Sequence, residues 1–306
     1  MRAANGISVY PDDGLDGETL IKNADSAMYH AKGEGGSNFQ FFHADMNLRA
    51  IERQFIEQNL RRAMNRGELS LVYQPKYDLT TRLLTGVEAL LRWNHPVRGQ
   101  ISPASFIPVA EDCGLILQIG TWVLEESCRQ AHAWPEAGFS AINIAVNVSG
   151  RQFQSEDFED TVIGLPDQYG IAPDRLELEV TESLLMKTPE LTAALLQSLR
   201  RKGVRIAIDD FGTGYSSLSY LFRFPIDTLK IDQSFVRQIG TRAGRSMVKT
   251  IVDMGRNLGL QIAAEGVETE QEATILASIG CHMAQGHYFS RPLTPAKLGL
   301  LFRRPN

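Results

Sequence analysis

Acidic and amide side chains stand at the ends of successive strand-like segments of this sequence. Each segment is short and mainly apolar, and each ends in a residue that can bind a cation or move a proton. In chain order these residues are Glu88, Asn147, Glu179 with Glu182, Asp209 with Asp210, Lys230, Glu265 with Glu268, and Gln285. If the strands are parallel, their carboxyl ends meet on one face of the sheet, so these side chains form one cluster.

The composition of this cluster predicts a metal site. Many carboxylates on one face repel one another, and burying them is unfavourable unless cations neutralise them. Oxygen ligands suit Mg²⁺ or Mn²⁺, and the sequence offers no His or Cys cluster for a dedicated zinc site. The adjacent Asp209 and Asp210 suggest two ions, because one carboxylate can bridge while its neighbour completes the second ion's ligands.

Two ions about 3.5–4 Å apart can activate a water and stabilise an in-line displacement at phosphorus. Metal-assisted phosphoryl chemistry is therefore the leading interpretation. Other metal-using barrels, such as enolase-like proton abstractors, and plain structural ion pairs remain alternatives. Lys230 could orient a water or a phosphate oxygen, or merely pair with Asp232. Arg92 could bind a phosphate with its guanidinium fork, or be an exposed loop cation.

The elements that must position these residues follow a βα repeat. Helical segments at 122–134, 190–202, 246–258 and 270–279 alternate with strands, and Gly203, Gly259 and Gly280 stop three of them. The eight predicted strands are 69–76, 83–93, 141–148, 175–180, 204–209, 228–232, 260–265 and 282–285. This number and order predict a (β/α)₈ barrel.

The first two strands break the repeat. Only residues 77–82 separate them, whereas a parallel crossover needs about a dozen residues or more, so an antiparallel pair is expected. Upstream, a strand at 6–10 and a helix at 17–32 are too short to bury a core alone. A helical stretch at 44–66 joins them to the barrel.

Composition limits the function classes. The 306 residues carry a formal net charge of -5, which argues against a broad electrostatic grip on DNA, RNA or an anionic membrane. Cys113, Cys128 and Cys281 have no CxxC spacing and indicate reduced thiols, so we expect a cytoplasmic location. No window approaches the length of a membrane span, although a longer parent protein could carry an anchor.

Eight motifs make the sequence resemble the EAL-domain family of cyclic di-GMP phosphodiesterases over roughly residues 48–302. A lone Glu88-Ala89-Leu90 would carry little weight, and the specificity lies in the ordered set. The motifs are 73–75 (YQP), 86–93 (GVEALLRW), 147–149 (NVS), 179–182 (EVTE), 209–214 (DDFGTG), 229–232 (LKID), 264–268 (AEGVE) and 285–292 (QGHYFSRP).

The resemblance implies a modified TIM barrel with an antiparallel first strand, and hydrolysis of cyclic di-GMP to linear pGpG with two Mg²⁺ or Mn²⁺ ions. The implied metal ligands are Glu88, Asn147, Glu179, Asp209, Asp210 and Glu265, with Asp209 bridging. Lys230 would position or deprotonate the attacking water, and Glu268 and Gln285 would support the water or the substrate. Gln74, Leu91 and Arg92 would touch the ligand.

Glu182 resembles the residue that holds the loop after Asp210, which in the family is associated with dimer contacts; this loop includes Phe211, Gly212, Thr213 and Gly214. A homodimer is therefore expected. Family members that lack several metal ligands act as cyclic di-GMP receptors. No ligand is lost at the matched positions, so catalytic competence is expected, with a weakly catalytic receptor as the alternative.

The first 43 residues resemble the closing portion of a GGDEF diguanylate cyclase domain. The motifs are 6–11 (GISVYP), 24–32 (ADSAMYHAK) and 36–38 (GSN). The Gly-Gly-Asp-Glu-Phe signature is not in this chain, so cyclase activity is not expected from it. The expected organisation is a GGDEF-like fragment at 1–43, a linking helix at 44–67 and an EAL barrel at 68–306.

Overall fold

The computed structural model describes residues 4–33, 38–136, 142–186, 188–213, 221 and 223–302. These residues fall into two compact units. One unit comprises Met1–Gly67 with Ser102–Cys113, and the other comprises Glu68–Ile101 with Gly114–Asn306.

The first unit contains a two-stranded parallel sheet and three helices. Its elements are β1 (Asn5–Ile7), α1 (Gly17–Gly33), β2 (Phe39–Phe41), α2 (Ala44–Ala63) and α3 (Pro103–Cys113). Asp16 caps α1, because its carboxylate accepts the Thr19 backbone N–H at 2.9 Å. The predicted helices at 17–32 and 44–66 are present, and the predicted strand at 6–10 is shorter, at Asn5–Ile7. Helix α3 was not predicted.

The second unit is a closed barrel of eight strands with helices between them. The strands of this unit are β3 (Leu69–Asp78), β4 (Leu84–His95), β5 (Gly99–Ile101), β6 (Asn143–Asn147), β7 (Leu176–Thr181), β8 (Arg205–Phe211), β9 (Thr228–Ile231), β10 (Gln261–Ala264) and β11 (Met283–Ala284). Around the barrel the order is β3, β11, β10, β9, β8, β7, β6 and β4, and β4 pairs with β3 to close it. The predicted barrel is confirmed.

The antiparallel start of the barrel is confirmed as well. Strand β3 runs antiparallel to both of its neighbours, β4 and β11, and Gln74 lies directly opposite Glu88. The other barrel strands pair in parallel. Short strand β5 extends β4 as a hairpin outside the barrel; sequence reasoning missed it because three residues are too few to show a periodic pattern.

Helices cover the outside of the barrel. They are α4 (Ile116–Glu136), α5 (Gly150–Phe153), α6 (Phe158–Tyr169), α7 (Glu182–Leu185), α8 (Pro189–Arg201), α9 (Gln233–Val236), α10 (Arg242–Asn257), α11 (Glu270–Ser278) and α12 (Pro295–Phe302). The predicted stops are correct: Gly203, Gly259 and Gly280 all have positive φ, at 95°, 72° and 87°. Helix α10 begins four residues earlier than predicted, because Thr241 caps it by accepting the Gly244 N–H.

Strand β7 shows how the sequence places charge inside the barrel. Leu176, Leu178 and Val180 are fully buried on one face, and Glu177 and Glu179 alternate with them on the other. Glu179 contacts Lys76 of β3, a strand that is not a neighbour of β7, so this contact crosses the barrel interior. The barrel therefore has an apolar outer face toward the helices and a charged interior.

Within the described residues, no helix combines the length and the apolar character needed to cross a membrane.

Candidate functional site

Lys230 lies at the centre of the acidic cluster. It is 1% exposed, and its Nζ lies 2.5 Å from Glu179 Oε2, 2.5 Å from Glu265 Oε1 and 3.1 Å from Asp209 Oδ1. Glu88 Oε2 is at 3.8 Å. These four carboxylates come from β4, β7 and β8 and from the residue after β10. The structure thus places four of the predicted residues around the ammonium group of a fifth, Lys230.

Two amide side chains hold Glu88. Asn147 Nδ2 donates to Glu88 Oε1 at 2.7 Å, and Gln285 Nε2 donates to Glu88 Oε2 at 2.5 Å. Gln285 Nε2 also lies 3.1 Å from Glu265 Oε1. The Oε1 atom of Gln285 is buried and has no hydrogen-bond partner among the described residues, which leaves one acceptor at the cluster free for a ligand.

Asp209, Asp210 and Glu265 have the geometry of a cation site. Each offers a carboxylate oxygen, and these oxygens lie within 4.8 Å of one another. Asp210 adopts a φ of +54°, a backbone conformation that is uncommon for residues other than glycine. Its backbone N–H donates to Asp209 Oδ1 at 2.9 Å. Backbone strain of this kind is concentrated at functional sites, and here it occurs where two successive residues both offer a carboxylate oxygen to the candidate cation site.

Charged residues that sequence reasoning missed lie next to Glu179. Lys76 is buried, and its Nζ lies 2.6 Å from Glu179 Oε1 and 3.3 Å from Glu177 Oε1. Glu177 Oε2 in turn accepts a hydrogen bond from Thr228 Oγ1 at 3.0 Å. The two-residue alternation in a buried strand is the signal that could have found them: Lys76 follows Gln74 by two, and Glu177 precedes Glu179 by two.

The pKa values of the acids in the cluster shift in both directions. Burial raises the pKa of Glu88, of Asp210 and, by a large amount, of Glu265, and neighbouring carboxylates raise each further. Burial also opposes ionisation of Glu179, but Lys230 and Lys76 outweigh it and lower its pKa to about 2. Additional cations at the cluster would favour the ionised form of every one of these acids.

A hydrogen bond connects the loop after β8 to Glu182, the residue that follows β7. Glu182 is buried, and its Oε2 accepts the backbone N–H of Gly212 at 3.0 Å. Thr213 bonds back to the Asp210 carbonyl through its Oγ1 at 2.8 Å, and Phe211 is buried. Gly214, the last loop residue predicted to matter, lies outside the described residues.

The residues predicted to touch a ligand lie on β3 and β4. Gln74 is buried and donates through Nε2 to the Ser290 carbonyl. Leu91 and Arg92 are half-buried, and an Arg92 NH group donates to the Leu91 carbonyl at 2.8 Å. Burial lowers the pKa of Arg92, so its guanidinium would gain from an anionic partner.

Glu268 lies apart from these contacts. Its side chain is 56% exposed and its carboxylate is 3.8 Å from Arg237 of the segment after α9, while its backbone N–H donates to Glu272 at 2.8 Å. Its catalytic role stays a prediction.

The profile of the EAL domain matches residues 57–292. The chain belongs to the EAL domain family. Among curated relatives, it is 45% identical over 299 residues to the bifunctional diguanylate cyclase/cyclic di-GMP phosphodiesterase MucR of Pseudomonas aeruginosa, covering 97% of this chain and 44% of MucR. It is 41% identical over 299 residues to the cyclic di-GMP phosphodiesterase NbdA of the same species, covering 97% of this chain and 38% of NbdA. The chain thus spans less than half the length of either relative.

Solved structures of the EAL family have the same fold. The phosphodiesterase of P. aeruginosa MucR in complex with c-di-GMP superposes with a TM-score of 0.77 at 44% identity, covering 80% of this chain and 99% of that one. The EAL domain of Mycobacterium smegmatis DcpA gives a TM-score of 0.66 at 35% identity, covering 78% and 99%.

The residues of this site fit divalent cations. Their donors are carboxylate and amide oxygens, which Mg²⁺ and Mn²⁺ prefer. Lys230 already occupies a position surrounded by carboxylates, and the unpartnered Oε1 of Gln285 adds a free acceptor. Glu88, Glu179, Asp209, Asp210 and Glu265 share Lys230 as a nearby cation, and Lys76 also acts on Glu88 and Glu179, so the carboxylates at this site outnumber the ammonium groups.

Proposed function

We propose that this chain hydrolyses one phosphodiester of cyclic di-GMP, giving linear pGpG, with two Mg²⁺ or Mn²⁺ ions. The observation that carries the proposal is the convergence of Asp209, Asp210 and Glu265 within ligand distance of one another at the carboxyl ends of barrel strands. Membership in the EAL family and the names of the relatives MucR and NbdA support cyclic di-GMP as the substrate.

In this proposal the ions would be held by Glu88, Asn147, Glu179, Asp209, Asp210 and Glu265. Bound divalent ions supply a water of lowered pKa and charge stabilisation at the phosphoryl oxygens. Asn147 and Gln285 fix the two oxygens of Glu88 with hydrogen bonds, so this carboxylate is oriented before any ligand arrives.

The other residues act on the water and the nucleotide. Lys230 Nζ would orient the attacking water as a hydrogen-bond donor, because its buried ammonium group lies among the carboxylates that would hold the ions. Arg92 and Gln74 bind the phosphate and the nucleotide, and Leu91 packs against the nucleotide. Gln285 and Glu268 support the attacking water or the substrate. Glu182 keeps the loop at Phe211, Gly212 and Thr213 in place through the Gly212 N–H.

Incubation with cyclic di-GMP tests the proposal. The protein is mixed with the nucleotide and Mg²⁺ or Mn²⁺, and the products are resolved by chromatography, with an EDTA-treated sample as the control. We expect linear pGpG only when the metal is present. The absence of a linear product at high enzyme concentration would refute hydrolysis, and tight binding of cyclic di-GMP in that case would identify a receptor instead.

The remaining expectations are also proposals. Residues 1–43 form a fragment of a GGDEF-like domain, residues 44–67 link it to the EAL barrel at 68–306, and the barrel forms a homodimer in the cytoplasm. Size-exclusion chromatography with light scattering tests the dimer: a monomeric mass across micromolar concentrations contradicts it.

A further inference from the structure

Two lysines contact the Glu179 carboxylate, one on each oxygen. Lys76 Nζ of β3 lies 2.6 Å from Oε1, and Lys230 Nζ of β9 lies 2.5 Å from Oε2. The side chain of Glu179 is fully buried, so no bulk water competes for either oxygen. The orientation of this carboxylate is therefore set from both sides.

The two lysines differ in what surrounds them. Lys230 contacts three carboxylates at 2.5–3.1 Å and occupies the middle of the acidic cluster, where the proposed cations would compete with it. Among the described residues, Lys76 instead forms ion pairs with Glu179 and Glu177 and not with Asp209 or Glu265. Ion binding would require Lys230 to yield contacts with the carboxylates, whereas the contact between Lys76 and Glu179 Oε1 can persist.

The partner of Lys76, Glu177, is itself held in place by neighbouring side chains. Glu177 holds Lys76 through Oε1 at 3.3 Å, while its Oε2 accepts from Thr228 Oγ1 and lies 3.7 Å from Arg205 Nε. Lys76, Glu177 and Thr228 are all buried, so the ammonium group has little freedom to move. This arrangement resembles the hydrogen-bonded groups that orient metal-binding carboxylates in general.

We propose that Lys76 is a positioning residue that holds Oε1 of Glu179, so that Oε2 faces the cation site. This inference rests on the metal-dependent function proposed above, because it assigns Lys76 a role only through Glu179 as a ligand. The competing explanation is that Lys76 and Glu177 form a structural ion pair with no influence on cation binding.

A charge-balanced double variant separates the two explanations. Lys76→Met with Glu177→Gln removes one positive and one negative charge, so the net charge near the cluster is unchanged while Glu179 loses its support. Replacing a group that orients a metal ligand typically weakens metal affinity about 10- to 100-fold, and we expect Mn²⁺ affinity to fall by that factor in isothermal titration calorimetry without nucleotide. Lys249→Met with Asp253→Asn, which removes an exposed ion pair with a 2.8 Å contact, is the matched control.

The Mn²⁺ dependence of hydrolysis is a second test, because a purely structural role of Lys76 would not change it in the way expected here. In the Lys76 and Glu177 double variant, the Mn²⁺ concentration for half-maximal hydrolysis should rise by the same factor, while kcat at saturating Mn²⁺ returns to within about threefold of the unaltered protein, since excess metal recruits Glu179. If the double variant does not fold, Lys76→Gln with Glu177→Gln makes the same charge change with polar side chains, and the same results are expected.

The outcomes are distinct. Unaltered Mn²⁺ affinity in a folded double variant overturns the role of Lys76. Weakened Mn²⁺ binding supports it even if the protein converts no cyclic di-GMP, in which case only the proposed hydrolysis fails. An unaltered protein that binds no Mn²⁺ overturns both.

Discussion

Glu182 Oε2 accepts a hydrogen bond from the backbone N–H of Gly212 at 3.0 Å, and this contact joins the residue after β7 to the loop after β8. Gly212 has a φ of +93° and packs close to the Phe235 ring, so the loop backbone is held from two sides. Asp210, a predicted metal ligand, lies two residues before Gly212 in the chain. The bond therefore fixes the backbone just after the end of β8, close to this residue.

Glu182→Ala should lower turnover of cyclic di-GMP about 10- to 100-fold, because the loop that follows Asp210 loses its support. It also leaves the Gly212 N–H without its acceptor, which costs about 1–3 kcal/mol. Steady-state kinetics and thermal unfolding measure the two effects. Glu182→Gln keeps an acceptor oxygen at this position and should be milder on both. Equal rates for Glu182→Ala and the unaltered protein would contradict the role of this bond.

Lys230 and Glu88 give a prediction about charge balance. Lys230→Met leaves four carboxylates without their shared cation, and removing one partner of a buried ion pair typically costs about 3–5 kcal/mol. We expect a lower melting temperature in EDTA, a larger stabilisation by Mn²⁺ than in the unaltered protein, and strongly reduced turnover.

Glu88→Gln is the matched change of opposite sign, because it removes one negative charge from the same cluster while keeping the side-chain shape. Like Lys230→Met, Glu88→Gln should suppress turnover. Unlike Lys230→Met, it should reduce the stabilisation of the folded protein by Mn²⁺. Thermal unfolding with and without Mn²⁺ compares the two variants. The same Mn²⁺ response in both would show that the cluster does not bind cations as a unit.

The barrel could be predicted because many of its strands carry an acidic, amide or lysine residue near the carboxyl end, and because Gly203, Gly259 and Gly280 mark the ends of three helices. The antiparallel β3 and β4 followed from the short connection between them. Lys76 and Glu177 were missed because only the closed barrel brings β3 and β7 into contact across its interior. Sequence spacing likewise does not indicate that the Glu268 side chain is exposed and lies 3.8 Å from Arg237.

The thiols should differ in reactivity. Burial raises the pKa of Cys128 and of Cys281 to about 12, whereas Cys113 is only partly buried. Because the thiolate is the reactive form, Cys113 should be alkylated first and the other two only after unfolding. Iodoacetamide labelling at pH 8 followed by peptide mass spectrometry measures the order, with the urea-unfolded chain as the control. Rapid labelling of Cys281 in the folded protein would contradict its burial.

His282 should make stability depend on pH. Its Nδ1 accepts the Ile262 backbone N–H at 3.0 Å, which requires that nitrogen to be unprotonated. Burial lowers the pKa of His282, Arg256 lowers it further, and Asp78 opposes the shift in part. The folded state thus favours the neutral ring. The contribution of His282 to the free energy of unfolding is therefore complete above its unfolded pKa of about 6.5, and it is lost as the pH falls from there through the lower pKa of the folded state.

His282→Asn tests this prediction, because the Asn side-chain oxygen can accept from Ile262 near the position of Nδ1 but does not titrate in this range. Urea unfolding of both proteins is compared from pH 8 to pH 5, so that contributions from the acidic cluster cancel in the difference. The unaltered protein should lose more stability than His282→Asn as the pH falls below 6.5. A difference that stays constant across this range would mean that His282 has the same pKa in the folded and unfolded chains.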